Sequence, residues 1–164
     1  MKLLAGICCL LLAAAAVKAQ DTAADAIQVF VVDSVEVDRS MVRNITPDQI
    51  AMITVARGRK TVEQYGDRAV NGVFYIETIP FAHQRYNRLF SSLSPGYAAA
   101  LQQYGSDSSF RYIMADSVLT RNVVSQLAAL EPRDVTAVQM LTTKADKKQY
   151  GLKEQEIGVV VKTK

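Results

Sequence analysis

Few of the 164 residues carry side chains suited to chemistry: there is one histidine, there are two cysteines, and there is no tryptophan. His83 falls at the start of a predicted helix. A catalytic or metal-binding role would need partners that neither a second histidine nor a retained thiolate supplies. Two carboxylate pairs, Glu154 with Glu156 and Asp33 with Glu36, are close enough in sequence for acid–base work, but nothing marks either as buried or cleft-lining. The serines Ser91, Ser92, Ser94, Ser106, Ser108 and Ser109 are plentiful, yet none sits in a Gly-x-Ser-x-Gly elbow. The glycines are scattered and form no phosphate-cradling loop. The expectation is a non-catalytic protein with no metal and no cofactor.

Charge offers a second kind of chemistry. Arg57-Gly58-Arg59-Lys60 and Lys144 with Lys147-Lys148 are the two basic clusters, and Arg57, Arg59, Lys60, Lys144, Lys147 and Lys148 are the candidate partner contacts. A basic rim of this kind would meet acidic lipid headgroups at a membrane surface or an acidic patch on a protein; a solvated loop is the alternative. Nucleic acid is not an expected partner, because the charge balance is too even once the N-terminus is taken into account.

Met1 to Ala19 reads as a secretory signal peptide. Lys2 is the positive region, Leu3 to Val17 is uninterrupted and apolar, and Val17-Lys18-Ala19 places small residues where a signal peptidase looks. A membrane anchor is the alternative, but the run falls short of the ~20 residues a spanning helix needs. Acylation at Cys8 or Cys9 would need a longer apolar segment ahead of the cysteine. Removal of residues 1–19 takes away Lys2, Lys18 and both cysteines, leaving 17 basic and 16 acidic residues and a net charge of +1. The exported chain then depends on an apolar core and backbone pairing, with no disulfide. An outer-membrane transport barrel, with many strands of ~9–11 residues, does not fit in this length.

The elements that must position these residues come from an internal repeat. Ile27 to Val37 is rich in β-branched residues, with Asp33-Ser34 as a polar break between two strand arms, and Phe110 to Leu119 repeats the pattern around Asp116-Ser117. Thr46-Pro47 starts a short helix, with Leu130 to Val135 as its counterpart. Strands follow at Met52 to Ala56 and Ala137 to Leu141, then polar helical segments ending at Tyr65-Gly66 and Tyr150-Gly151, where glycine forms a left-handed cap. Each copy closes on a β-branched strand, Gly72 to Thr78 and Gly158 to Thr163. The offset between copies drifts from 83 (Asp33 to Asp116) through 85 (Pro47 to Pro132) to 86 (Gly72 to Gly158). Two equal units of this kind bury a shared face.

Between the copies, Ala82, Tyr86, Leu89, Phe90 and Leu93 recur at helical spacing, which predicts an amphipathic helix over residues 82–93. Ser94-Pro95 starts a second helix carrying Tyr97, Leu101 and Tyr104 and ending at Gly105. The division is a signal peptide (1–19), a first repeat (20–79), a helical insert (80–106) and a second repeat (107–164), in the α+β class.

The stretch Ile45 to Thr78 resembles the plug-domain signature of TonB-dependent outer-membrane receptors, especially SusC/RagA-type nutrient transporters. The landmarks are Pro47, Ile50, Tyr65-Gly66 and Asn71-Gly72-Val73, preceded by Val31-Val32-Asp33-Ser34 where that family has a Val-Asp-Gly hairpin. In the second copy Pro132, Tyr150-Gly151 and Gly158-Val159 remain, and Ile157 replaces the asparagine. The resemblance implies a plug-like α+β fold in two tandem copies and an envelope location. It does not imply transport, because the barrel is missing.

These observations together lead to an exported, non-catalytic protein–protein binding or scaffold module, in the periplasm or at the periplasmic face of the outer membrane. Its partner would be an envelope protein, either a TonB-dependent receptor or a factor associated with one. The alternative is a periplasmic carrier holding a small nutrient between the repeats, with Tyr86, Phe90, Tyr97 and Tyr104 as stacking groups. The C-terminal strand Ile157 to Lys164, if placed at a sheet edge, would permit self-association by strand addition, and Lys162 and Lys164 would equally guard that edge.

Overall fold

Each half of the chain builds a four-stranded sheet from the same sequence of elements. The computed structural model describes residues 28–164, so the predicted leader and its cleavage site lie outside the described residues. In the first unit, β1 (Val29–Val32) and β2 (Val35–Val37) form a hairpin. The chain then passes through α1 (Arg39–Val42) and a 3-10 turn (Pro47–Gln49) to β3 (Ile50–Ala56). From there α2 (Arg59–Tyr65) runs into a 3-10 segment (Gly66–Ala69), and β4 (Val73–Thr78) completes the sheet. Two helices, α3 (Ile79–Leu93) and α4 (Pro95–Tyr104), precede the second unit. That unit comprises β5 (Phe110–Met114), β6 (Ser117–Val118), α5 (Val123–Ala128), β7 (Val135–Leu141), α6 (Lys144–Gln149) and β8 (Ile157–Thr163).

The sheet orders, β2-β1-β4-β3 and β6-β5-β8-β7, match strand for strand, each with a central parallel pair. The repeat extends to register. Ile50 pairs with Thr78 and, past a bulge, Met52 with Glu77; 85 residues on, Val135 pairs with Thr163 and, past a bulge, Ala137 with Lys162. The fold is therefore α+β and pseudo-repeated.

Several sequence expectations shift against this frame. The second hairpin turns at Ala115-Asp116 rather than Asp116-Ser117. A two-residue hairpin loop of this type needs positive φ at both central residues. Those residues are Asp33 and Ser34 (φ 50° and 71°) in the first unit and Ala115 and Asp116 (47° and 58°) in the second. Ser117 pairs with Met114 inside the strand. The structural partner of Gly158 is Val73, since both pair one strand over with Leu141 and Ala56 respectively, so the offset there is 85 and not 86. Glycine is needed at 158 because a Cβ would lie 2.7 Å from Leu141 Cδ1 and 2.9 Å from Leu152 Cδ1. Gly66 has the expected positive φ, but at φ 71°, ψ −164° it leaves the left-handed helical region for one that is essentially restricted to glycine.

The helix expected at Pro132 is a turn, although the reciprocal bonding of its counterpart survives. Thr46 N–H donates to Gln49 Oε1 and Gln49 N–H to the Thr46 carbonyl (2.9 Å each); Glu131 N–H donates to Asp134 Oδ2 (3.1 Å) and Asp134 N–H to the Glu131 carbonyl (2.9 Å). The C-terminal strand is not an edge: β8 lies between β5 and β7 and is paired on both sides, which removes it as a strand-addition site. The short helices α1 and α5 had no periodicity long enough to announce them.

The helix predicted over 82–93 begins at Ile79, because Thr78 caps it, accepting a hydrogen bond from Phe81 N–H. Thr78 is itself held by the first hairpin. Its N–H and its hydroxyl donate to the two Asp33 carboxylate oxygens, both at 2.8 Å, while Asp33 N–H donates to the Ile76 carbonyl at 3.0 Å. One turn residue thus fixes the end of β4 and the start of α3. Ala115, in the equivalent place, has no side-chain oxygen with which to do this.

Side chains on one face of the first sheet, Val29, Val31 and Val73, pack under Tyr65 and Ala69 of the α2 segment. The main core lies on the second sheet, where Phe110, Tyr112, Val138, Val159 and Val161 meet Tyr86 and Phe90 of α3, Tyr97 of α4 and Leu127 of α5. Arg85 joins the units: it pairs with Glu77 at 3.0 Å and donates to the carbonyls of Leu130 (3.1 Å) and Ala128. Because those carbonyls terminate α5, the guanidinium acts as its C-terminal cap.

Replacing Asp33 by alanine removes two charge-assisted hydrogen bonds and leaves the cap of α3 loose, so stability should fall by about 2 kcal/mol. Asp33→Asn retains an acceptor and tolerance of positive φ, and should cost about half as much. Urea unfolding of the two variants checks this.

Candidate functional site

Arg59 and Lys144 occupy equivalent places at the first residue of α2 and α6, which follow the outer strands β3 and β7; Arg57 and Lys60 lie beside the first, and Lys147 and Lys148 in the last turn of α6. Arg57, Arg59 and Lys60 are exposed, as are Lys144 and Lys148, with Lys147 partly covered. Arg59 pairs with Glu63 (3.1 Å), Lys144 with Glu154 (2.7 Å), and Lys147 Nζ donates to the Glu154 carbonyl (2.7 Å). Exposed pairs of this kind hold the side chains only weakly. Arg57, Lys60 and Lys148 have no ion-pair partner among the described residues. Each cluster follows the outer strand of its own sheet, β3 in the first and β7 in the second.

The carboxylate pairs are engaged separately. Glu156 pairs with Arg111 (2.9 Å) and accepts from Lys153 N–H (2.8 Å), while Glu154 faces Lys144. Asp33 holds Thr78, and Glu36 pairs with Arg68. Neither pair converges on a shared cleft. The serines are likewise committed to local structure: Ser94 accepts from Tyr97 N–H at the start of α4, Ser92 donates to the Leu89 carbonyl, and Ser106 bonds Ser108.

His83 has a partner that the sequence did not disclose. Its Nδ1 lies 2.9 Å from Oδ1 of Asp107, a carboxylate whose side chain is 4% exposed. Tyr86 and Tyr112 hydroxyls donate to the other Asp107 oxygen at 2.6 and 2.8 Å, and Tyr97 bonds both Tyr112 and Asn87. Burial alone would raise the Asp107 pKa, but the Tyr86 and Tyr112 hydrogen bonds and the His83 charge outweigh it and hold the carboxyl below its ordinary value. Burial, with the Asp107 charge behind it, pushes the Tyr86 and Tyr112 hydroxyls far up, so both remain protonated donors. Core tyrosines need acceptors for their hydroxyls, and that need was the available signal for Asp107. His83 faces a groove of about 680 Å³ that Asn87, Arg88, Ser91 and Asp107 also line, and its Nδ1 is held there by the Asp107 carboxylate and, at 2.5 Å, by the Tyr86 hydroxyl.

Of the aromatic residues that the carrier alternative would use to stack on a ligand, Tyr86, Phe90 and Tyr97 are core. These three are at most 1% exposed and pack edge-on or tilted against one another and against Phe110 and Tyr112; Tyr104 is exposed and leans on Phe110.

The two sheets differ most in what covers equivalent faces. In the first, two rows of apolar side chains run across all four strands: Val35, Val32, Ile76 and Ile53, then Val37, Phe30, Phe74 and Val55. Phe30 and Phe74 stack at 5.4 Å. In the second sheet the counterpart of the latter row is Leu119, Tyr112, Val159 and Met140, all of which belong to the core under α3, α4 and α5. In the first sheet Val35 is 62% exposed, Ile53 53% and Val55 43%, although the Ile76 between them is buried. Charge flanks this face, since Arg57 follows Ala56 at the end of β3.

No family model, curated protein or solved structure matches the chain.

The Asp107 node predicts an acid-sensitive fold. Because the folded-state pKa of Asp107 is lowered, its contribution is complete above the unfolded-state value of about 3.9 and is lost as pH falls through the lower folded value. Asp107→Asn should be less stable at neutral pH and should show a flatter decline in acid; pH-resolved thermal unfolding of both proteins measures the difference.

Proposed function

We propose that the protein is an exported, non-catalytic binding module of the cell envelope, resembling the plug of TonB-dependent receptors but not itself a transporter. It works by docking an envelope protein, a receptor of that class or a factor associated with one, on the first sheet. The observation that carries this reading is the open apolar face there, opposite in fate to its roofed counterpart in the second sheet. Contiguous exposed apolar surface rimmed by charge is characteristic of interaction sites. Covering Val35, Ile53 and Val55, each already about half buried, would contribute about 1 kcal/mol apiece. Arg57 and Lys60, free of internal partners, would then orient the docked protein through its acidic groups. The leader supplies the export, and the engaged carboxylates, serines and His83 supply no assembled reaction centre.

A photo-crosslinking residue placed at Val35 in intact cells should give adducts with an envelope protein, and the same residue at Gln102, exposed on α4, should not. Reversing Arg57 and Lys60 to glutamate should lower the Val35 adduct yield several-fold. Adducts of equal yield from both positions, or none from Val35, would refute the assignment.

A further inference from the structure

We infer that the first sheet is also a self-association surface, on which two copies of the chain pair antiparallel through β3 about an axis at Thr54. The inference rests on the reading of the first sheet as the contact surface and names one of its partners, a second copy.

β3 is the outer strand of its sheet, bonded only to β4. An outer strand presents unpaired backbone donors and acceptors, which soluble proteins guard with charge, proline or a bulge. In β3 the bulge falls at Ala51, in the half that packs with Ala82 of α3 and Ala128 of α5. The other half, Ile53 to Ala56, contains neither charge nor proline, and Ile53, Thr54 and Val55 are exposed.

A two-fold interface requires a surface complementary to itself. An antiparallel register centred on Thr54 meets that requirement. It sets Ile53 against Val55 of the partner subunit, Val55 against Ile53 of the partner subunit, and the two threonines against each other. Directly opposed residues in an antiparallel pair share a face, so the apolar pairs extend the open face and the threonines lie on the other. β-Branched and Thr–Thr pairs are favourable cross-strand combinations.

Charge selects the same arrangement. Asp48 lies in the 3-10 turn ahead of β3, and Arg57, with Arg59 and Lys60 at the start of α2, lies beyond its other end, so antiparallel pairing sets the acidic end of each strand towards the basic end of the other copy. A parallel pairing would set like charges side by side. The equivalent outer strand β7 does not offer this surface: Met140 is tucked against Gly96 of α4, no large apolar side chain of β7 is exposed, and Lys144 already faces Glu154. The result is a continuous eight-stranded sheet whose apolar face is doubled, and the basic group singled out in the sequence gains a partner.

The test uses cysteines at two equivalent exposed positions, Thr54 in β3 and Gln139 in β7, in the exported protein, with the unsubstituted chain as control. Oxidation should link Thr54→Cys into a covalent dimer at least about tenfold more efficiently than Gln139→Cys, because only residues facing each other across the axis come within disulfide range. By sedimentation the unsubstituted protein should be dimeric. Asp48→Lys should weaken the dimer about tenfold, and adding Lys60→Asp to the same chain should restore it. A chain that stays monomeric across the micromolar range, equal linking at Gln139, or a charge swap that fails to restore pairing would each overturn the inference. Envelope adducts at Val35 do not depend on β3 pairing, so loss of those adducts from a protein that still dimerises would reject the docking role alone.

Discussion

One helix pair serves two equivalent apolar sheet faces, and the structure follows from that shortage. A sheet of this kind must cover its apolar side; α3 and α4 roof the second, whereas the first meets α3 and α5 at its Ala51 end. Tyr86, Phe90 and Tyr97 enter the space over Tyr112 and Val159, and their hydroxyls bring a polar requirement into the core. Asp107 meets it by accepting from two tyrosines and holding His83 at the rim. This node fastens α3 to the second sheet through Tyr86 and Tyr112.

The first sheet meets the helices at one end, where Ala51 and Met52 pack with Ile79 and Ala82 of α3 and with Val124 and Ala128 of α5. Asp33 fixes Thr78, Thr78 starts α3, and Arg85 on α3 reaches across to close the end of α5. Farther along β3, Ile53 and Val55 are left exposed. α1 is a four-residue helix, too short to take the place of α3 and α4. The asymmetry between two units that agree in strand order and in bulge position is what gives the open face meaning, because its roofed twin shows how such a row is buried when a cover is present.

Much of the frame was legible from the residues. The repeat, both hairpins, the two central helices and the glycine helix ends follow from local patterns of β-branching, capping and turn chemistry, and these depend on near neighbours. Errors arose where local resemblance misled the alignment: Asp116 matched Asp33 by type, but the backbone places Ala115 there; Gly158 matched Gly72, but register places Val73 there. The position of β8 inside its sheet could not be read, because strand order is set by long-range pairing between Ile157 to Thr163 and two distant strands. Asp107 was hidden in a polar loop, where one acidic residue among serines looks like solvent-facing filler until the buried tyrosines above it are located. The basic clusters were found, but whether they joined depended on the relative placement of two sheet edges.

The most direct measurement compares solvent access at two positions the repeat makes equivalent, Val55 and Met140. Cysteines at each, introduced with Cys8 and Cys9 replaced by serine, can be labelled by a small maleimide in the dilute purified protein and in intact cells. The account predicts that Val55→Cys reacts readily when purified and is protected in cells, whereas Met140→Cys is slow in both. Rapid labelling of Val55→Cys in cells, matching the purified protein, would contradict it.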